Sequence, residues 1–220
     1  MKRIGLVLVA GGSGRRMESE LPKQFIKINE KPILQHCIDL FYSWNNDIQV
    51  VLVLPDDQIE YWNSIKDPST NYTICSGGSE RFHSVRKGLN ALKNVDYVMI
   101  HDGVRPLVSH NVLNRCIASL EENKGVIPVI TPTESIRIIE GSTSLHLDRN
   151  KIRIVQTPQC FHYNEIMSAY KENFKDSFTD DASVFENAGY TVDLIEGNYE
   201  NIKITTPGDL EWTSIYLKNS

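Results

Sequence analysis

The chain has 220 residues, 40% of them hydrophobic and 23% charged, a balance that suits an ordinary globular protein of one well-cored domain or two small ones. Its formal charge of −5 argues against general nucleic-acid or anionic-membrane binding, so any cationic surface is local and built from particular arginines and lysines. Cys37, Cys75, Cys116 and Cys160 are widely scattered with no C-x-x-C pair, and so read as reduced thiols of a cytoplasmic protein, not a zinc or redox motif.

The apolar run that follows Met1-Lys2-Arg3 is too short to cross a membrane and enters a charged loop that no signal peptide would tolerate. It predicts a first strand over 5–9. The next loop, Ala10-Gly11-Gly12-Ser13-Gly14-Arg15-Arg16-Met17, is followed by Pro22-Lys23-Gln24. Glycine lets backbone N–H groups approach phosphate oxygens, while arginine and lysine neutralise them, so this segment predicts a polyphosphate cradle. It lacks the Gly-Lys-Ser/Thr of a Walker A loop, and Met17 stands where a dinucleotide fingerprint needs its third glycine. The plain alternative is a glycine turn with solvent-facing arginines.

Further apolar runs predict strands over 49–54, 72–75, 97–100 and 125–130. They are rich in Val and Ile and do not alternate in polarity, the pattern of a sheet buried on both faces. Helix-period segments lie between them, over 33–43, 58–64, 81–92 and 110–122. In the third, Phe82, Val85, Leu89 and Leu92 make one apolar stripe. This order predicts parallel strands with right-handed crossovers.

From 131 to about 155 the pattern becomes polar and extended. The runs 135–139 and 152–155 flank a Gly-Ser-Thr turn and predict a protruding β-arm, which needs a partner surface to be stable and so suggests packing on a second subunit. Helices over 163–173 and 180–188, strands over 191–195 and 201–204, and a last helix over 207–217 complete the chain.

In an open parallel sheet, ligands bind beyond the carboxyl ends of the strands, and the unusual residues of this chain cluster there. After the third strand comes Ser76-Gly77-Gly78-Ser79-Glu80-Arg81, whose bare backbone can lie against a flat base while Ser79 and Ser84 offer hydrogen bonds; alternatively Ser79 is a helix N-cap. After the fourth comes His101-Asp102-Gly103-Val104-Arg105-Pro106. Asp102 suits ribose hydroxyls or Mg²⁺, or else caps a turn; Arg105 either contacts a phosphate or braces Asp102. Lys203 and Thr205 follow on a late strand. No histidine pair has metal-ligand spacing.

These segments, together with Asp148-Arg149, Thr157-Pro158-Gln159, Thr179-Asp180-Asp181 and Asn201-Ile202-Lys203-Ile204-Thr205, resemble the 2-C-methyl-D-erythritol 4-phosphate cytidylyltransferase family in order and spacing over essentially the whole length. The resemblance implies one nucleotidyltransferase domain over 1–220. Its fold would be α/β, a single doubly wound, mostly parallel Rossmann-like sheet with a β-arm used for dimerisation. It implies CTP and methylerythritol phosphate as substrates, Mg²⁺ held mainly by the triphosphate, and a homodimer. By the same resemblance, Arg16, Lys23, Lys203 and Arg149 are catalytic. Ala10, Gly11, Gly12, Gly14, Gly78, Ser79, Ser84 and Asp102 bind CTP, and Asp102, Gly103, Arg105, Ser135, Arg149, Thr157 and Thr205 bind the acceptor, with Arg149 acting across the dimer. Ser79 and Gly103 stand where the family often has Asp and Ala, and Ser135 where it has Thr. Ribitol-5-phosphate cytidylyltransferases share the fold, the first loop and the Asn-Ile-Lys-Ile-Thr-Thr-Pro run, and are the nearest alternative.

Overall fold

A computed structural model describes residues 2–11 and 21–219. Its first strand, β1 (Ile4–Val9), lies between β4 (Tyr97–Asp102) and β2 (Gln49–Leu54), parallel to both, and β2 pairs in parallel with β3 (Thr73–Ser76). Between these strands run α1 (Ile33–Trp44), α2 (Asp56–Ile65) and α3 (Arg81–Ala91), and α4 (His110–Ala118) leads from β4 to β5 (Lys124–Ile130).

Successive side chains of a strand point to opposite faces, and here both faces are covered. Leu6 and Leu8 of β1, with Leu52, Leu54 and Met99, pack toward Cys37, Ile38 and Phe41 of α1 and Val112 and Leu113 of α4. Val7, with Val51, Val53, Val98 and Ile100, faces Val85 and Leu89 of α3 and the later helices. Full burial of each such side chain stabilises by about 1.5–3 kcal/mol. This is why the sequence runs are continuously apolar rather than alternating.

The strands beyond β4 depart from a purely parallel order. The segment that carries β8 (Ile154–Val155) and β9 (Gln159–His162) returns antiparallel between β5 and β4, and β10 (Thr191–Glu196) then pairs parallel to the far side of β5. The sequence reading had no strand over 159–162. Four residues, preceded by Pro158 and with polar Gln159 and His162 at the two ends, leave too short a run for periodicity to register. α5 (Tyr163–Ala169) and α6 (Asp181–Asn187) cover one face, the latter opened by a capping box in which Asp180 and Ser183 exchange hydrogen bonds with each other's backbone.

The arm is present with different pairing. β6 (Ile136–Glu140) pairs with β7 (Thr143–Leu147) across a tight turn at Gly141, whose φ of 61° is the left-handed geometry such hairpins need. Of residues 152–155, expected as the returning strand, Ile154 and Val155 instead join the main sheet. Nearest-neighbour closure explains the choice, since the short loop costs less chain entropy than one that skips Thr143–Leu147.

Residues 201–204 form no strand. Their backbone is held piecewise, with Ile204 N–H donating to the Val104 carbonyl at 3.0 Å and Asn201 Nδ2 to the Thr157 carbonyl at 2.8 Å. The last helix, α7 (Pro207–Asn219), follows at once, its entry fixed by Asp209, which accepts from the backbone N–H groups of Thr205 and Thr206. Helices expected to reach residues 122 and 173 end at Ala118 and Ala169. Among the described residues no helix is long and apolar enough to cross a membrane.

α3 lies close on the sheet because Gly88 has no side chain; a Cβ there would meet Val7 Cγ1 at 2.5 Å and Val53 Cγ2 at 2.9 Å. Gly88→Ala is therefore expected to destabilise by about 1–3 kcal/mol, despite alanine's better helix propensity, through overpacking. Urea denaturation midpoints of the two proteins measure it, and a more stable variant would contradict the packing described.

Candidate active site

The carboxyl ends of β1, β3 and β4 meet the 201–206 segment around a cleft of about 260 Å³. Ala10, Gly11, Lys23, Gly78, Ser79, Ser84, Asp102 and Lys203 all line it, so eight residues singled out from sequence come together. Glu80, Arg81 and Gln24 line it too.

Lys23 lies in a short 3₁₀ turn (Lys23–Phe25) and is only 8% exposed. Its Nζ donates to the Ile204 carbonyl at 3.1 Å, which ties this turn to the segment carrying Lys203. The neighbouring Gln24 donates to the Ala10 carbonyl at 2.8 Å and so holds the end of β1.

At the end of β3, the backbone N–H of Gly78 donates to Ser84 Oγ at 3.0 Å. A Cβ on residue 78 would lie 2.3 Å from His83 Cβ, so the turn requires glycine. Ser84 Oγ also donates to the Glu80 carbonyl, so its hydroxyl shapes the turn as well as facing the cleft. Ser79 is not the N-cap of α3. That position is Glu80, and Ser79 Oγ is hydrogen-bonded with His83 Nδ1.

The centre is Asp102. Its Oδ2 lies 3.1 Å from Lys203 Nζ and 3.2 Å from Arg105 Nε, and its Oδ1 lies 3.7 Å from Arg81 Nε. Burial alone would raise its pKa, but the charges of Arg81, Lys203 and Arg105 outweigh burial and hold the carboxyl well below the usual range. Of the two roles open to Arg105, the structure has it bracing Asp102, with its other end donating to the Asn201 carbonyl at 2.9 Å.

Beneath Asp102 runs a directed hydrogen-bond chain. The Asp102 backbone N–H donates to Thr157 Oγ1 at 3.1 Å, the Thr157 hydroxyl is 3.0 Å from His101 Nδ1, and His101 Nε2 is 3.0 Å from the Arg105 carbonyl. A carbonyl only accepts, so Nε2 carries the proton and Nδ1 accepts from Thr157. Thr157 thus sits behind the cleft as a support.

Other expected residues lie elsewhere. Arg149 is exposed on a 3₁₀ turn (Arg149–Lys151) of the arm, its guanidinium donating to the Thr133 carbonyl, and Ser135 is exposed at the base of the hairpin; neither lines the cleft. Thr205 gives its hydroxyl to Asp209, and Gly103 is buried against Ala10 and Leu34. Gly12, Gly14 and Arg16 lie outside the described residues.

A family model described as 2-C-methyl-D-erythritol 4-phosphate cytidylyltransferase matches residues 4–219. The chain belongs to that family. The enzyme of that name from Bacteroides fragilis is 45% identical, with 96% of this chain and 98% of the relative covered. That from Clostridioides difficile is 41% identical over 93% and 90%. Among solved structures, the 4-diphosphocytidyl-2C-methyl-D-erythritol synthase of Anaerococcus prevotii matches with a TM-score of 0.82 at 29% identity, covering 99% and 96%. The Thermus thermophilus cytidylyltransferase matches at 0.79 and 26%, covering 99% and 100%.

Sequence reasoning assigned no role to Arg81 or Asp181, although both stand in cytidylyltransferase-family motifs. Arg81 donates to both oxygens of the fully buried Asp181, at 2.8 and 2.7 Å. No signal in one sequence links positions a hundred residues apart.

His101 is fully buried and its pKa is lowered to about 4 by desolvation, above all. The unfolded chain, with a histidine pKa near 6.5, then binds more protons than the folded one between about pH 4 and 6.5, so stability rises with pH across that window. Roughly 3 kcal/mol is lost on acidifying through it. Chemical denaturation at stepped pH should show this slope, and His101→Gln should flatten it; an unchanged slope would refute the assignment.

Proposed function

We propose that this protein transfers the cytidylyl group of CTP to 2-C-methyl-D-erythritol 4-phosphate, releasing pyrophosphate and giving 4-diphosphocytidyl-2-C-methyl-D-erythritol. The observation that carries the reading is the convergence of Lys23 and Lys203 on one cleft, linked through Ile204 and centred on Asp102. Family membership supplies the substrates, and the relatives reported above bear the methylerythritol name rather than the ribitol one.

The acceptor phosphate attacks the α-phosphorus in line with the departing pyrophosphate. It is an anion already, so no general base is needed. The barrier is mutual repulsion of two phosphorylated molecules, and the required groups are cations that neutralise and align. Lys23 and Lys203 do this at the phosphates, a role that the family resemblance gives to Arg16 as well. Lys203 Nζ, on a side chain 42% exposed, faces the cleft because Asp102 holds it. The Gly78 turn takes the base, and Asp102 the ribose and acceptor hydroxyls.

Among the described residues no cluster of three or more His, Cys, Asp or Glu could hold a metal. Asp102 is engaged by cations on both oxygens. Mg²⁺, which the family resemblance implies, would be held mainly by the triphosphate's own oxygens and would neutralise charge on the leaving group.

A homodimer belongs to the same reading. Ile138, Ile139 and Leu145 of the arm and Ile154 and Val155 beside it are exposed, an apolar surface that a second copy would cover. Arg149, distant from its own cleft, would then serve the partner's acceptor site. A cytoplasmic location accords with the unpaired cysteines.

Pyrophosphate release from CTP, assayed with methylerythritol phosphate, ribitol 5-phosphate and no acceptor, tests the function; release only with the first is expected. Lys203→Ala and Lys23→Ala should each lower kcat by about 10²–10³. Arg149→Ala should act mainly by raising the acceptor KM. Preferential use of ribitol 5-phosphate would overturn the substrate assignment, and reversed kcat and KM effects the roles.

A further inference from the structure

We infer that Arg81, clamped by Asp181, is a positioning residue that fixes the Asp102 carboxylate and, through it, the ammonium of Lys203. The inference rests on the reading of Lys203 as a phosphate-facing cation.

The geometry is that of a strap. Arg81 opens α3 and Asp181 opens α6, so the pair joins two helices a hundred residues apart in sequence. Asp181 takes both terminal nitrogens of the guanidinium, and its Oδ1 also accepts from the Tyr170 hydroxyl at 2.6 Å. A planar fork held at two points has little rotational freedom, so Nε is kept 3.7 Å from Asp102 Oδ1, within ion-pair distance. Arg105 and Lys203 approach the other oxygen, Oδ2. Cations on opposite oxygens fix the carboxylate plane. Without Arg81, Oδ1 has no charged partner among the described residues and the plane can turn, carrying Lys203 with it.

Charge balance leads to the same conclusion. Asp102 and Asp181 carry two negative charges against three positive ones on Arg81, Arg105 and Lys203. Among these five side chains one positive charge is in surplus, and it emerges at Lys203, whose side chain is 42% exposed against 29% for Arg81 and 12% for Arg105. Removing Arg81 would leave Asp102 free to neutralise Lys203 and cancel the attraction for phosphate.

The test compares wild type with Arg81→Gln, Arg81→Lys and the double variant R81Q/D181N. Each is measured by melting temperature, by pyrophosphate binding in calorimetry at fixed ionic strength, and by kcat and KM with CTP and methylerythritol phosphate. Arg81→Gln leaves Asp181 buried without its counter-charge and should melt lower. It should also weaken pyrophosphate binding about tenfold and lower kcat by about 10–100-fold, as displacement of a catalytic group does, with the acceptor KM changed less. R81Q/D181N removes both members of the pair and should recover much of the melting temperature while kcat and pyrophosphate affinity stay low. Arg81→Lys keeps the charge without the fork and should recover binding more than kcat.

Recovery of kcat and pyrophosphate affinity along with melting temperature in the double variant would reduce the pair to a structural brace and overturn the inference. So would wild-type binding and kcat in Arg81→Gln. If the variants follow the expected binding pattern but wild type makes no product from methylerythritol phosphate, the positioning role stands and the substrate reading falls.

Discussion

A single buried carboxylate among cations organises this molecule's working end. Asp102 closes β4, and around it gather side chains from α3, from its own loop and from the 201–206 segment. A buried anion is costly unless paired, so the carboxylate draws the cations in, and a cation drawn to it is held at the cleft. The sheet supplies the other half of the constraint. β1 and β4 lie side by side in parallel register, with Val9 opposite Asp102, so Ala10 and Asp102 leave the sheet next to each other.

Support for this centre comes from uncharged groups of fixed polarity. Thr157 accepts from the Asp102 backbone and faces His101, which is kept neutral by burial and finishes on the Arg105 carbonyl. The segment bearing Thr157, between β8 and β9, runs antiparallel to the rest. Its insertion between β5 and β4 brings a hydroxyl from residue 157 under the end of β4.

Much of the first half was legible because long Val- and Ile-rich strands alternate with helices of regular apolar period, as in the stripe of Phe82, Val85 and Leu89. The chemistry was legible where glycine or charge broke those patterns at strand ends, at Ala10-Gly11, Gly78 and Asp102. What escaped depends on partners distant in sequence. Residues 201–204 read as a strand because Ile202 and Ile204 alternate with polar neighbours, yet Asn201 and Arg105 hold them as an irregular segment. The arm's returning strand was misplaced because Thr143–Leu147 is mixed in polarity and only its pairing reveals it. Arg149 and Ser135 came from resemblance alone; both are exposed and neither lines the cleft.

The irregular segment also ties the cleft to distant parts of the chain. Asn201, Lys203 and Ile204 reach the cleft through contacts with Arg105, Thr157, Asp102, Lys23 and Val104, none of them nearby in sequence. That wall of the enzyme's cleft therefore rests on contacts between segments far apart in the sequence, and the entropy of closing those long loops must be overcome before it can form.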